Sequence, residues 1–147
     1  MRWRGYARPP AIAGGIGRRE NVKEVCHLAI IKKEKIQKIL SEEIKYDYWF
    51  GKTKKAPYKD VGQGDEIMLK EPGGKIRGRV IVENALFFDD YKKLNNIETY
   101  GILSRIASLA KKEKTKYITI LLFSKPDKYL APVTYKKKDS RRWVVLG

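Results

Sequence analysis

Residues 41 to 67, SEEIKYDYWFGKTKKAPYKDVGQGDEI, place three kinds of local order in a row. From Ile44 to Phe50 the chain alternates. Ile44, Tyr46, Tyr48 and Phe50 share one face, and Lys45, Asp47 and Trp49 share the other, which is the period of a β-strand. The aromatic set is expected to face the core, leaving Trp49 on the polar face. A glycine-flanked loop follows, carrying Lys52, Lys54, Lys55 and Lys59. Gly62 and Gly64 then bracket a turn that runs through Asp65 into Glu66 and Ile67. The order is thus a strand, a basic loop and a turn into a second strand.

The flanking segments fit that frame. Val25 to Ile31 is a short β-branched run and reads as a buried strand. Lys32 to Glu43 reads as a helix, with Ile36, Ile39 and Leu40 at helical spacing. Glu66 to Lys70 is a strand, Glu71-Pro72-Gly73-Gly74-Lys75 a hairpin turn and Ile76 to Leu86 the return strand. Asp89 or Asp90 caps a short helix rather than pairing on a metal. Ile97 to Lys112 is the strongest helix, with a stripe of Ile102, Leu103, Ile106, Leu109 and Ala110 and a basic C-terminus at Lys111, Lys112 and Lys114. Lys116 to Phe123 is a central strand. Pro126 and Pro132 make Ser124 to Val133 a loop or edge strand. Arg141 to Leu146 closes as the last strand. The order predicts a single α+β domain over residues 22–147, its strands closing into a mixed barrel with flanking helices.

Residues 1–21 lack either periodicity. Arg2, Arg4, Arg8, Arg18 and Arg19 face one acid, Glu20, with Trp3 and Tyr6 among them. They read as a flexible basic arm suited to phosphates and bases, or as an untidy tail. Gly14-Gly15-x-Gly17 follows no strand and lacks a Walker lysine-serine, which argues against a nucleotide loop.

Charge narrows the partner. The 147 residues hold 33 Lys and Arg against 17 Asp and Glu, a net +16. Such an excess is self-repelling, and a polyanion explains it best: nucleic acid first, an anionic membrane surface second. One cysteine, Cys26, and one histidine, His27, exclude an intrachain disulfide and a Cys/His zinc cluster. The two are adjacent in a strand, so they point to opposite faces and are poorly placed as nucleophile and base. No cofactor or metal is expected. The longest strongly apolar run, Tyr117 to Phe123, is far shorter than the ~20 residues of a membrane span. A monomer in the cytoplasm is the expectation, with a weakly thermophile-like or archaeal composition.

Lys45, the Gly64-Asp65-Glu66-Ile67 turn and the glycine hairpin leading to Ile76-Arg77-Gly78-Arg79-Val80 carry a resemblance. Over residues 25–125 the chain resembles the ASCH branch of the PUA-like superfamily. The family's Gly-x-Lys-x-x-Glu-x-Arg segment falls on Glu43 to Phe50, where Lys45 keeps its place. Glu43 stands for the glycine, Tyr48 for the acid and Phe50 for the arginine, and Asp47 is one place early. The resemblance implies a small barrel that binds RNA or modified bases. Some members are enzymes on acylated nucleosides or RNA, using the motif lysine with nearby Thr and Glu. Here that carry-over stops at Lys45.

The expected RNA-contacting residues are Lys45, Trp49, Lys52, Lys54, Lys55 and Lys59. Arg141 and Arg142 join them, from a second basic cluster with Lys136, Lys137 and Lys138 that ends at Trp143. Exposed lysines serve as phosphate contacts and an indole as a stacking surface. The rival readings are a nucleoside amidohydrolase or ribonuclease, with Lys45 catalytic, and an accessory factor docking on a ribosome or an acidic protein.

Overall fold

A computed structural model describes residues 24–96, 101–136 and 141–147. The arm expected at 1–21, residues 97–100 of the expected second helix and the lysines at 137 and 138 lie outside the described residues. Strand β1 (Cys26–Ile30) is followed by helix α1 (Lys33–Leu40) and strands β2 (Tyr46–Gly51), β3 (Glu66–Lys70) and β4 (Ile76–Phe88). A 3-10 turn (Tyr91–Asn96), helix α2 (Gly101–Lys112), β5 (Tyr117–Val133) and β6 (Trp143–Val145) complete the order. One mixed sheet results, ordered β2-β5-β4-β3-β1-β6. β1 and β3 are parallel and every other pair is antiparallel.

The sheet curls. β2 and β6 lie at opposite ends of the strand order, yet the rings of Trp49 and Trp143 meet edge-on at 5.0 Å between centroids. No backbone ladder joins the two strands among the described residues, so side chains close the half-barrel.

Two large cores hold the sheet, one on each face, and a smaller third cluster gathers Leu28, Ile76 and Val144. The concave face buries Ala29, Ile67, Leu69, Val80, Val82, Leu121 and Phe123, plugged by Ile36 and Ile39 of α1. Burying each such aliphatic side chain contributes ~1.5–3 kcal/mol. Gly78 lets α1 approach, because a Cβ there would sit 2.5 Å from the Asp127 carbonyl oxygen and 2.8 Å from Leu40 Cδ2. On the convex face, Leu103, Ile106, Ala107 and Ala110 of α2 pack on Ile118 and Ile120, with Tyr46, Tyr48 and Phe50 of β2 beside them.

This two-sided covering corrects the expected face assignment of β2. Tyr46, Tyr48 and Phe50 do meet a core, the one under α2. Ile44, which precedes the strand, joins the concave core instead. The other face is not solvated either: Asp47 is buried and Trp49 packs half-buried on the concave core. A period of two says which side chains share a face, but not whether the second face is also covered.

β5 joins the expected central strand to the edge-strand alternative for Ser124 to Val133 in one element. It continues unbroken from Tyr117 to Val133, through both prolines. Its β2 partner ends at Leu122, while β4 still pairs with Asp127, Lys128 and Val133. The Phe123 N–H still donates to the Lys45 carbonyl at 2.8 Å, and beyond it no strand among the described residues pairs on that side of β5, where a proline is tolerated.

Candidate nucleic-acid interface

Where β2 ends and β5 begins, a cleft of about 430 Å³ opens at the end of the half-barrel. Its lining includes Trp49, Lys52, Lys55, Tyr58, Tyr117 and Thr119. The sequence forms it locally. Gly51 ends β2, and the loop then carries Lys52, Lys54 and Lys55 exposed before Pro57 and Tyr58 turn inward and bury. Tyr58 stacks edge-on against Phe87 at 5.7 Å and meets Tyr117 at 4.8 Å. Thr115, at the other side of the mouth, donates its hydroxyl hydrogen bond to the Gly51 carbonyl at 3.1 Å, tying the loop's start to β5.

The lysines sit over these rings. Lys54 Nζ lies 6.0 Å from the centroid of Tyr117 and Lys116 Nζ lies 5.5 Å from it. Lys59 Nζ is 5.7 Å from the Tyr58 centroid. These are cation–π distances, and they hold positive charge at an aromatic mouth. Burial, with Asp89 and Tyr117 adding to it and Lys93 opposing, raises the Tyr58 phenol above its ordinary value. It therefore stays protonated at neutral pH and available as a donor. The cleft offers flat π-faces, hydroxyls and ammonium groups, the set suited to a base with its phosphate.

A buried polar relay stands behind Trp49. Asp65 and His27 are both fully buried. One Asp65 carboxylate oxygen accepts from the Val25 N–H at 3.0 Å. The other accepts from the Gly62 N–H at 2.9 Å and lies 2.8 Å from His27 Nε2. Trp143 Nε1–H donates to His27 Nδ1 at 3.1 Å. An indole can only donate, so Nδ1 must accept and Nε2 must carry the proton that goes to Asp65. The chain of contacts runs from Asp65 through His27 and Trp143 to the ring of Trp49, coupling the glycine turn to the cleft wall. Gly64, at φ +92°, makes that turn. Sequence reading singled out Asp65 only as a motif residue and His27 only as a strand residue. The missed signal was the pairing of one histidine and one motif aspartate in strands that turn out to be parallel neighbours, Cys26 opposite Glu66 and His27 opposite Ile67. Cys26 points away from His27, and burial pushes its thiol up.

The structure brings together Trp49, Lys52 and Lys55 in the cleft lining, with Lys54 and Lys59 over its tyrosines. It does not bring Lys45 there. Lys45 is exposed at the opposite end of β2, beside Ile39, Glu42, Val80 and Pro126, four residues or ~13 Å along the strand from Trp49. The buried Asp47 pairs with Lys35 of α1 at 3.1 Å, not with Lys45. Arg141 and Arg142 are exposed ahead of β6 and do not line the cleft, whereas Trp143 is buried. Arg77 pairs with Glu71, and Asp89 with Lys93. Asp90 accepts from the Lys92 N–H at 2.9 Å, a local turn cap. Among the described residues, no cluster of three or more His, Cys, Asp or Glu could hold a metal, and no helix is long and apolar enough to cross a membrane.

No protein-family profile matches the chain, and no curated protein matches it significantly in sequence. Solved structures do match. The ASCH protein of Zymomonas mobilis superposes with a TM-score of 0.57 at 12% identity, covering 83% of this chain and 87% of that one. A serine-to-alanine variant of the same protein superposes with a TM-score of 0.58, also at 12% identity, covering 83% and 88%. At that identity the likeness speaks to architecture alone, and it agrees with the mixed half-barrel and two helices described above. The fold of this chain is thus similar to that of the Zymomonas mobilis ASCH protein.

Proposed function

We propose that this domain binds RNA non-covalently and takes an unpaired base into the cleft beneath the lysine loop. The observation that carries the reading is the convergence of Trp49, Tyr58 and Tyr117 with Lys52, Lys54, Lys55, Lys59 and Lys116 at one opening. Aromatic faces take up bases of any sequence, and lysines track the phosphates. The net charge of +16 supports the same class of partner. A-form duplexes are recognised by shape and phosphates, and their stacked bases offer no free face. A concave aromatic site therefore favours single-stranded or extruded nucleotides. Arg141, Arg142 and Lys45 are further phosphate contacts in this reading, along the path of the strand outside the cleft.

The nucleoside hydrolase or ribonuclease reading finds less support. The cleft lining holds no carboxylate, histidine or cysteine, and Lys45 stands outside it. The docking reading explains the charge but not the aromatic cavity.

The test is Trp49→Ala assayed by equilibrium binding. Loss of one stacking partner is expected to cost ~1–3 kcal/mol for single-stranded RNA and much less for a plain duplex. Equal losses for both ligands would refute base insertion. Turnover of an acylated nucleoside or of RNA, abolished by Lys45→Ala, would favour the enzyme instead.

A further inference from the structure

Thr119 sits in β5 between Trp49 of β2 and Phe87 of β4, in register with both. It is 1% exposed and lines the cleft. Among the described residues its hydroxyl has no hydrogen-bond partner. Thr115 makes the contrast, since its hydroxyl is satisfied by the Gly51 carbonyl at 3.1 Å. A buried hydroxyl without a partner is destabilising. Threonine suits a strand, but valine fills the same space without that penalty. Packing alone therefore does not account for an oxygen here.

We propose that Thr119 is a specificity-determining residue of the cleft, its hydroxyl meeting the polar edge of a nucleobase whose face lies against Trp49. This inference rests on the RNA-binding reading and deepens it. Trp49 and Thr119 are direct cross-strand neighbours, and such side chains stand about 4.5–5.5 Å apart at Cβ. A base laid on the indole thus brings its edge to the hydroxyl. One hydroxyl donates once and also accepts, so it can serve a ring nitrogen or an exocyclic oxygen. In a duplex the Watson–Crick edge is already paired. The ligand class that follows is single-stranded RNA with one base turned edge-first toward β5, its phosphates left at Lys52 and Lys55 on the rim.

The experiment compares the unaltered protein, Thr119→Val, Thr119→Ser and Trp49→Ala. Each is titrated with single-stranded oligo(U), oligo(A) and an abasic strand of equal length, and each is melted thermally. Thr119→Val is expected to keep or raise the melting temperature, because it removes an unpartnered hydroxyl. It should weaken binding of the preferred base roughly 5- to 30-fold and bring the two base-bearing strands to similar affinity. The abasic strand should be unaffected, and Thr119→Ser should restore the preference. A fall of many degrees in melting temperature for Thr119→Val would overturn the proposal, because it would reveal an internal partner for the hydroxyl. An unchanged base preference in Thr119→Val, alongside weakened binding in Trp49→Ala, would overturn it while leaving the base-binding cleft standing. Equal affinity of the unaltered protein for abasic and base-bearing strands would overturn both.

Discussion

Replacing Asp65 tests whether the buried relay holds the barrel's seam. Asp65 is wholly buried and its partners include the Val25 N–H at 3.0 Å, the Gly62 N–H at 2.9 Å and the imidazole of His27 at 2.8 Å. Asp65→Ala leaves at least these donors without their acceptor. Val25 is only half-buried and can recover a water, so the Gly62 and His27 donors dominate. At ~1–3 kcal/mol for each orphaned buried group, the expected loss is ~3–5 kcal/mol. For a domain of this size that lowers the melting temperature by roughly 10–15 °C. Asp65→Asn should cost less, ~1–2 kcal/mol, because its amide oxygen can keep the Gly62 and His27 bonds, while its –NH₂ faces the half-buried Val25 N–H and only that bond is lost. The assay is urea and thermal unfolding at neutral pH, with near-ultraviolet circular dichroism reporting Trp143 and Trp49. The dichroism should change in Asp65→Ala well below its melting temperature, since Trp143 loses its fixed acceptor. A loss under ~1 kcal/mol with an unchanged near-ultraviolet spectrum would show that the relay does not hold the seam.

Two further outcomes follow from charge. Lys52, Lys54 and Lys55 changed together to Ala should weaken RNA binding, flatten the dependence of log affinity on log salt by up to ~0.7 per lost single-strand contact, and leave melting nearly unchanged; an equal loss from Lys111, Lys112 and Lys114 changed together would mean that only net charge counts. Burial raises the Asp47 carboxyl above its ordinary value, with Lys35 opposing. The folded chain thus holds that proton to higher pH than the unfolded one, and this contribution to stability is lost as pH climbs from ~4 through the raised value. Asp47→Asn should remove that downward slope from a series of urea midpoints, and an unaltered slope would contradict the assignment.

How far the sequence carried the reading depends on what each signal encodes. The period of two placed β2 within two residues, and the glycine turn with Glu66–Lys70 matched β3 as observed. The loop lysines and Trp49 fell at one cleft because they are neighbours in the chain, at the end of a strand whose edge they extend. Tyr58, Tyr117 and Thr119 were not legible as site residues. Tyr117 and Thr119 come from a strand nearly 70 residues downstream of Trp49, and only the β2–β5 register brings them alongside it. The relay was hidden for the same reason: His27 and Asp65 are 38 residues apart, and Trp143 is 116 residues from His27. Lys45 was grouped with Trp49 on the strength of a shared strand face. A shared face does not mean a shared end, and at ~3.3 Å per residue four positions carry a side chain out of the cleft.

Ultraviolet crosslinking of the full chain to single-stranded RNA, followed by mass-spectrometric mapping, addresses the cleft most directly. The account predicts nucleotide adducts on Trp49, Tyr58 or Tyr117, the aromatic residues of the cleft wall, with the adducts suppressed by excess unlabelled single strand and not by an equal amount of duplex. Adducts confined to residues 1–21 or to the segment around Arg141 and Arg142, with none in the cleft, would contradict it.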